Sequence, residues 1–185
     1  MNTTAILLIV LAVVVLAAVG WLLYRQQRMR RLKARFGPEY THAVREFGNE
    51  SQAQQALEAR ARRMERIHIR SLPHESYEQF ARRWQKVQSK FVDDPGESIR
   101  EADALVNELM MVRGYPVSDF EQRAEDISVT HPYVVRNYRL AHTIAERHAR
   151  AQAGTEDLRQ ALVHYRELFD ELLETQPSTE TRLRR

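Results

Sequence analysis

Residues 5–24, AILLIVLAVVVLAAVGWLLY, run for 20 positions without a charged side chain, and no other stretch restricts the chain as much. At about 1.5 Å per residue a helix of that length spans about 30 Å, the thickness of a bilayer's hydrocarbon core. Thirteen of its residues are Leu, Ile or Val. At about 0.3–0.6 kcal/mol each these favour insertion by about 4–8 kcal/mol. A helix that is apolar on every side has no face to present to water. The expectation is a single transmembrane helix over residues 5–24, preceded by an extracytoplasmic N-terminus of residues 1–4.

The flanks give the span a direction. Nothing basic precedes it, whereas Arg25, Arg28, Arg30, Arg31, Lys33 and Arg35 follow it before the first acid, Glu39. Lys and Arg beside a span are retained on the cytoplasmic side, so the large C-terminal part is expected in the cytoplasm of a bacterial inner membrane. The same six cations, in a basic juxtamembrane segment of residues 25–36, are candidates for contact with anionic lipid headgroups. Trp21 and Tyr24 fit the inner interface, where amphipathic rings settle. A cleaved secretory signal would use Ala18-Val19-Gly20 as its site, but it would also need a basic start and a shorter apolar core. An anchored domain outside the cytoplasm is a further alternative, since cysteine-free domains occur in both compartments.

Charge has to be read by segment. The net +3 and the basic pI of about 9.4 suggest a nucleic-acid binder. The basic segment alone accounts for that: residues 36–185 hold 22 basic against 25 acidic side chains. A nucleic-acid binder carries its basic face on the domain itself. The one local run, Arg60, Arg62, Arg63, Arg66 and Arg70, reads as a solvated helix face, so no nucleic-acid partner is expected. Arginine outnumbers lysine 25 to 3, a bias associated with GC-rich bacterial genomes. The absence of cysteine removes disulfides, thiol catalysis and thiolate metal sites.

The remainder reads as all-α: a small irregular bundle of about five or six amphipathic helices over residues 37–174, with a polar, disordered tail over 175–185. Phe36-Gly37-Pro38-Glu39 stops one helix and starts the next, with Pro38 at its first position. Gly48 closes a short helix, and Asn49 opens another carrying a narrow seam of Leu57, Ala61 and Met64. Residues 67–72 form an extended linker ending at Pro73. Tyr77, Phe80, Trp84, Val87 and Phe91 recur at steps of 3 and 4, as a buried helix face requires. Ile99, Ala102, Leu105, Val106, Leu109 and Met110 mark its antiparallel neighbour. Ser118-Asp119-Phe120-Glu121 is a capping box. Val134, Tyr138, Ala141, Ala145 and His148 share one side of a later helix. Thr155 caps a final helix with Leu158, Leu162, Tyr165, Phe169 and Leu172 on its apolar face.

Tests for chemistry give little. Glu39-Tyr40-Thr41-His42 is a single Glu-x-x-His, where a di-iron bundle needs two. There is no His-Glu-x-x-His, no Gly-x-Ser-x-Gly and no Gly-rich phosphate loop. No catalytic, cofactor-binding or metal-ligating residue is assigned, and no cofactor is expected. The densest mixture of polar and aromatic side chains lies in residues 113–142. Tyr115, Asp119, Phe120, Arg123, Asp126 and His131 are the candidates there for contact with an unidentified protein partner. Asp119 and Arg123, four apart, read as a surface ion pair, and Tyr138 as core. A non-enzymatic interaction or scaffold module is the first reading. The alternative is a tethered acid–base or metal-assisted enzyme with a site around residues 115–142, using His131, His142, Asp119 and Asp126.

The stretches Arg35-Phe36-Gly37-Pro38-Glu39-Tyr40, Phe91-Val92-Asp93-Asp94-Pro95 and residues 113–142 together resemble an uncharacterised bacterial family of short single-pass membrane proteins. The resemblance covers nearly all of the part after the anchor. It implies an N-terminal anchor with a helical domain, and it brings no activity, cofactor or functional residue.

Overall fold

The computed structural model describes the backbone of residues 3–174 and the side chains of residues 11–174. Eight α-helices make up the described residues, with no strand: α1 Thr3–Phe36, α2 Pro38–Phe47, α3 Glu50–Met64, α4 His74–Lys90, α5 Pro95–Val112, α6 Phe120–Thr130, α7 Val135–Ala149 and α8 Thr155–Glu174. The chain is therefore all-α, with seven helices after α1 rather than five or six. The expected tail, 175–185, lies outside the described residues, as do Met1 and Asn2.

Among the described residues no helix is long and apolar enough to cross a membrane. The apolar run enters that description only at Leu11, leaving 14 residues to Tyr24, against about 20 for one crossing. Residues 5–10, the first part of the expected span, have no described side chains. Over residues 11–28 the helix is exposed on every side, with Leu16 at 71% and Leu23 at 61%. The basic segment is no separate element, because α1 continues through it to Phe36.

The chain divides into two compact units, Met1–Glu58 and Ala59–Arg185, parting inside α3. In the first, α1 packs on α2, and Leu32, Phe36, Tyr40, Ala43, Ala53 and Leu57 are buried. Pro38 takes the N1 position of α2. Gly48 ends that helix at φ 63° and donates its N–H to the Val44 carbonyl, the left-handed closure that glycine makes cheaply. Asn49 Oδ1 accepts the Ser51 N–H at 2.8 Å and so starts α3.

In the second unit α8 packs against α7, α5 and α4. Its apolar stripe of Leu158, Ala161, Tyr165, Leu168, Phe169 and Leu172 is wholly buried. The helix read from Tyr77 to Phe91 contributes Phe80, Trp84 and Val87 to the core, while Tyr77 stays 39% exposed and Phe91 sits at the C-cap. Trp84 stacks on Phe169 with ring centroids 4.6 Å apart. Ser98 of α5 donates its hydroxyl to the Val87 carbonyl at 2.8 Å, joining α4 to α5 across their short turn.

The linker expected over residues 67–72 is non-helical, with 68–73 outside any regular element, and it does find a partner. The Arg70 N–H donates to the Arg113 carbonyl at 2.8 Å. Gly114 turns there at φ 91°, and a Cβ on it would lie 2.7 Å from the His68 carbonyl oxygen, so only glycine fits.

Two starts differ from their sequence reading. Asp119, not Ser118, caps α6 by accepting the Gln122 N–H at 2.8 Å, so the helix starts at Phe120, one residue later than the capping box places it. At α8 the side chain that closes the first turn belongs to Asp157, which accepts the Gly154 N–H at 3.0 Å, and Thr155 is the first helical residue.

Phe169 is 1% exposed at the meeting of α8 and α4. Phe169→Ala should therefore cost about 3–5 kcal/mol, the usual range for a large buried side chain. Denaturant unfolding followed by helical circular dichroism measures it; a loss below about 1 kcal/mol would mean that α8 is not the central helix.

Candidate functional site

Besides surface ion pairs such as Arg83–Glu108 and Lys90–Glu101, three assemblies gather buried polar groups of the second unit. The first runs through its interior. Tyr165 of α8 donates its hydroxyl to Asp103 Oδ1 at 3.0 Å, and Asn107 Nδ2 donates to Asp103 Oδ2 at 3.0 Å. Tyr138 of α7 donates to Asn107 Oδ1 at 3.2 Å and accepts from Arg123 Nε of α6 at 3.1 Å. Arg123 Nη1 then donates to the Ser118 carbonyl. One chain of hydrogen bonds thus joins α5, α6, α7 and α8. Burial pushes the Tyr138 phenol up to about 12. Burial and the Asp103 charge raise Tyr165 further, so both remain neutral donors.

The second assembly joins α3 to α6. Arg63 donates from Nε to Asp126 Oδ1 at 2.9 Å and from Nη2 to Glu125 Oε2 at 3.1 Å. Arg60 Nη2 reaches Glu125 Oε1 at 3.0 Å, and Gln122 Nε2 donates to Asp126 Oδ1 at 3.2 Å. Arg60 is 3% exposed and Asp126 1%. The expected solvated arginine face is thus corrected: Arg60 is buried and Arg63 is half-buried against Asp126, while Arg62, Arg66 and Arg70 stay exposed. The signal for Arg60 was its place three residues after Leu57, on the apolar seam. Its partners lie more than 60 positions away, beyond the reach of local spacing.

The third assembly closes the end of α8. Arg113, 1% exposed, donates from Nη1 to the Leu172 carbonyl, one of the acceptors that the last helical turn leaves open. A guanidinium there also opposes the negative end of the helix dipole. Tyr115 shares a 2.8 Å hydrogen bond with Thr130 Oγ1, and His131 Nδ1 lies 3.3 Å from Glu171 Oε1.

The six residues expected to meet a partner are therefore distributed among structural roles. Asp119 is an N-cap, Arg123 binds Tyr138 and the Ser118 carbonyl, and Asp126 holds Arg63. The expected Asp119–Arg123 pair does not form, because the buried phenol and carbonyl offer Arg123 acceptors shielded from water. Tyr115 and His131 are buried. Phe120 stacks on His142 with centroids 3.6 Å apart and meets Tyr138 at a tilt of 49°, with centroids 4.8 Å apart. His131, His142, Asp119 and Asp126 each engage different neighbours. Among the described residues no three metal-ligating side chains gather. In the Glu39-x-x-His42 element, Glu39 is buried while the His42 side chain is 48% exposed and faces Glu46.

In the first unit the six cations after the apolar run are not alike. Arg28 forms a two-pronged pair with Glu58, which raises the affinity of its guanidinium for its proton. Lys33 lies 3.6 Å from Glu50 and 5.0 Å from the Tyr40 ring centroid. Arg25 sits over Trp21 at 5.6 Å and Arg35 over Phe36 at 6.0 Å. Arg30 and Arg31 are exposed. Trp21 and Tyr24 are 60% and 64% exposed. Two shallow clefts open beside them. One, of about 360 Å³, is lined by Trp21, Tyr24, Arg25, Arg28, Ser51 and Gln54; the other, of about 210 Å³, is lined by Tyr24, Gln27, Arg28, Arg31, Leu32 and Glu58. Neither is lined by any residue of 115–142.

Burial lowers the proton affinity of His131 below its ordinary 6.5, against the opposing pull of Glu171. The unfolded chain then takes up a proton that the folded one refuses. Stability should be complete above about pH 6.5 and fall as the pH drops below that value, whereas the carboxylates with lowered values (Glu50, Glu108, Glu156) lose theirs only below about 4.5. His131→Gln should flatten the slope of unfolding free energy between pH 6.5 and 5, measured by denaturant titration; an unchanged slope assigns it to another group.

No protein-family model matches the chain, and no curated protein or solved structure is similar to it.

Proposed function

We propose that this protein is a membrane-anchored, non-enzymatic helical interaction module at the cytoplasmic face of a bacterial inner membrane. The observation that carries this reading is α1 itself. Its residues 11–24 are apolar and exposed on every side, continuing an apolar sequence that begins at Ala5. Leaving that surface in water would cost about 25 cal/mol for each Å². The helix then passes without interruption into six cations, with two aromatic rings at the junction. The expected consequences are one crossing, an orientation set by the cations, and a bundle held close to anionic headgroups. Asp103, Asn107, Arg123, Asp126, Tyr138 and Tyr165 are engaged in internal hydrogen bonds, which favours a scaffold for an as yet unidentified protein over a tethered enzyme.

Replacing Arg28, Arg30, Arg31 and Lys33 together with Gln should weaken the preferred orientation, read by reporter fusions at the C-terminus, and loosen binding to anionic vesicles. Unchanged orientation and binding would remove the role given to the cations. Crosslinking from native membranes should recover a specific protein partner. A stoichiometric metal on the purified protein would overturn the non-enzymatic reading.

A further inference from the structure

We propose that the cleft lined by Trp21, Tyr24, Arg25, Arg28, Ser51 and Gln54 binds the phosphate of an anionic phospholipid, as a defined headgroup site and not only as part of a diffuse basic collar. The inference rests on the membrane-anchored reading, which places Trp21 and Tyr24 at headgroup depth.

Four observations converge on this cleft. Its volume, about 360 Å³, falls at the lower end of the roughly 300–1,000 Å³ common for small-ligand sites. Its lining holds two guanidinium groups, the hydroxyls of Tyr24 and Ser51 and a carboxamide but no carboxylate. That set of donors suits a phosphodiester, which offers only acceptors. The guanidiniums are also held in place. Arg28 is fixed by Glu58 through Nε and Nη2, leaving Nη1 for another acceptor. Arg25 lies over the Trp21 ring at 5.6 Å and makes no ion pair among the described residues. Finally, the carboxylate whose charge Arg25 feels, Glu50, is occupied by the Tyr40 hydroxyl at 2.7 Å and by Lys33 at 3.6 Å. Ser51 and Gln54 come from α3, so the site exists only where α3 lies beside α1. The basic sequence alone would not require them.

The test uses the full chain in phosphatidylcholine vesicles containing a minority of phosphatidylglycerol, with spin-labelled lipids reporting how strongly each is retained. Phosphatidylglycerol should be preferred over phosphatidylcholine. The charge-neutral double variant Ser51→Ala/Gln54→Ala should reduce that preference about fivefold, the effect of losing one or two net hydrogen bonds. Gln54 Nε2 donates one hydrogen to the Tyr40 hydroxyl at 3.0 Å, so Arg25→Gln, which leaves that bond intact, should reduce the preference at least as much. Arg30→Gln/Arg31→Gln, which removes more charge but lies outside this cleft, should reduce it less. If that last variant has the larger effect and Ser51→Ala/Gln54→Ala none, the attraction is diffuse and the site is refuted. Displacement of the lipid by excess inorganic phosphate would instead make this a site for free anions and overturn the assignment to lipid. A chain that fails to associate even with phosphatidylcholine vesicles refutes the anchor itself, whereas association without preference refutes only the cleft.

Discussion

The carboxylate of Asp103 fixes how the helices of the second unit meet. Apolar stripes such as Leu158, Tyr165 and Leu172 would bury comparable area in several registers, since dispersion and hydration have little direction. Hydrogen bonds have direction, and these leave α8 few choices. Tyr165 reaches Asp103 Oδ1, Asn107 takes Oδ2, and Tyr138 and Arg123 extend the chain to α7 and α6. Sliding α8 by one turn would strand a buried phenol, at about 1–3 kcal/mol for each unsatisfied group. The same burial that makes such an error costly keeps both tyrosines protonated, so the network keeps its donors across the physiological range. Arg113 acts similarly at the far end of α8, filling an acceptor that the helix cannot fill itself.

These ties explain which parts of the architecture could be read in advance. The steps of 3 and 4 in Ile99, Ala102, Leu105, Val106, Leu109 and Met110 gave a helix face, and all six are buried. Gly48, Asn49 and Pro38 gave helix ends, because capping and left-handed closure are decided within a few residues. The run of arginines from Arg60 to Arg70 has the look of a solvated face, yet Glu125 and Asp126 collect Arg60 and Arg63 from more than 60 positions away. Arg123 misled for the same reason: Asp119 is nearer in sequence, but Tyr138 offers an acceptor out of water. Periodicity reports which face is buried, and it says nothing of which distant charge waits there.

The dense polar and aromatic segment at 113–142 illustrates how composition can imitate a site. A cap, a network link, a buried pair and a stacked ring need Asp, Arg, His, Tyr and Phe in much the proportions that a binding surface would. Side chains whose donors are already satisfied have little left for a ligand, and recruiting them would break bonds that hold the helices together. The cleft beside Trp21 differs in kind, since Arg25 is held by a ring and not by an acid. A held but unneutralised cation is available to an anion without first giving up a partner.

The collar also has to be counted twice, with different totals. If the chain is anchored as proposed, its orientation would be decided as it enters the membrane, before α3 has folded back, and all six cations would act on it. In the folded protein Arg28 belongs to Glu58 and Lys33 is shared with Glu50, leaving fewer charges for the lipid surface. At about 1 kcal/mol for each basic side chain near an anionic leaflet, the folded collar of the proposed anchor would attract lipid less strongly than its six cations alone imply. The ion pairs give something in return: they draw α3 toward the end of the apolar run and fix where Arg28 sits. A chain with six free cations would bind the surface more strongly but without preference among headgroups, whereas one that commits two of them to its own acids can hold the others in a shape.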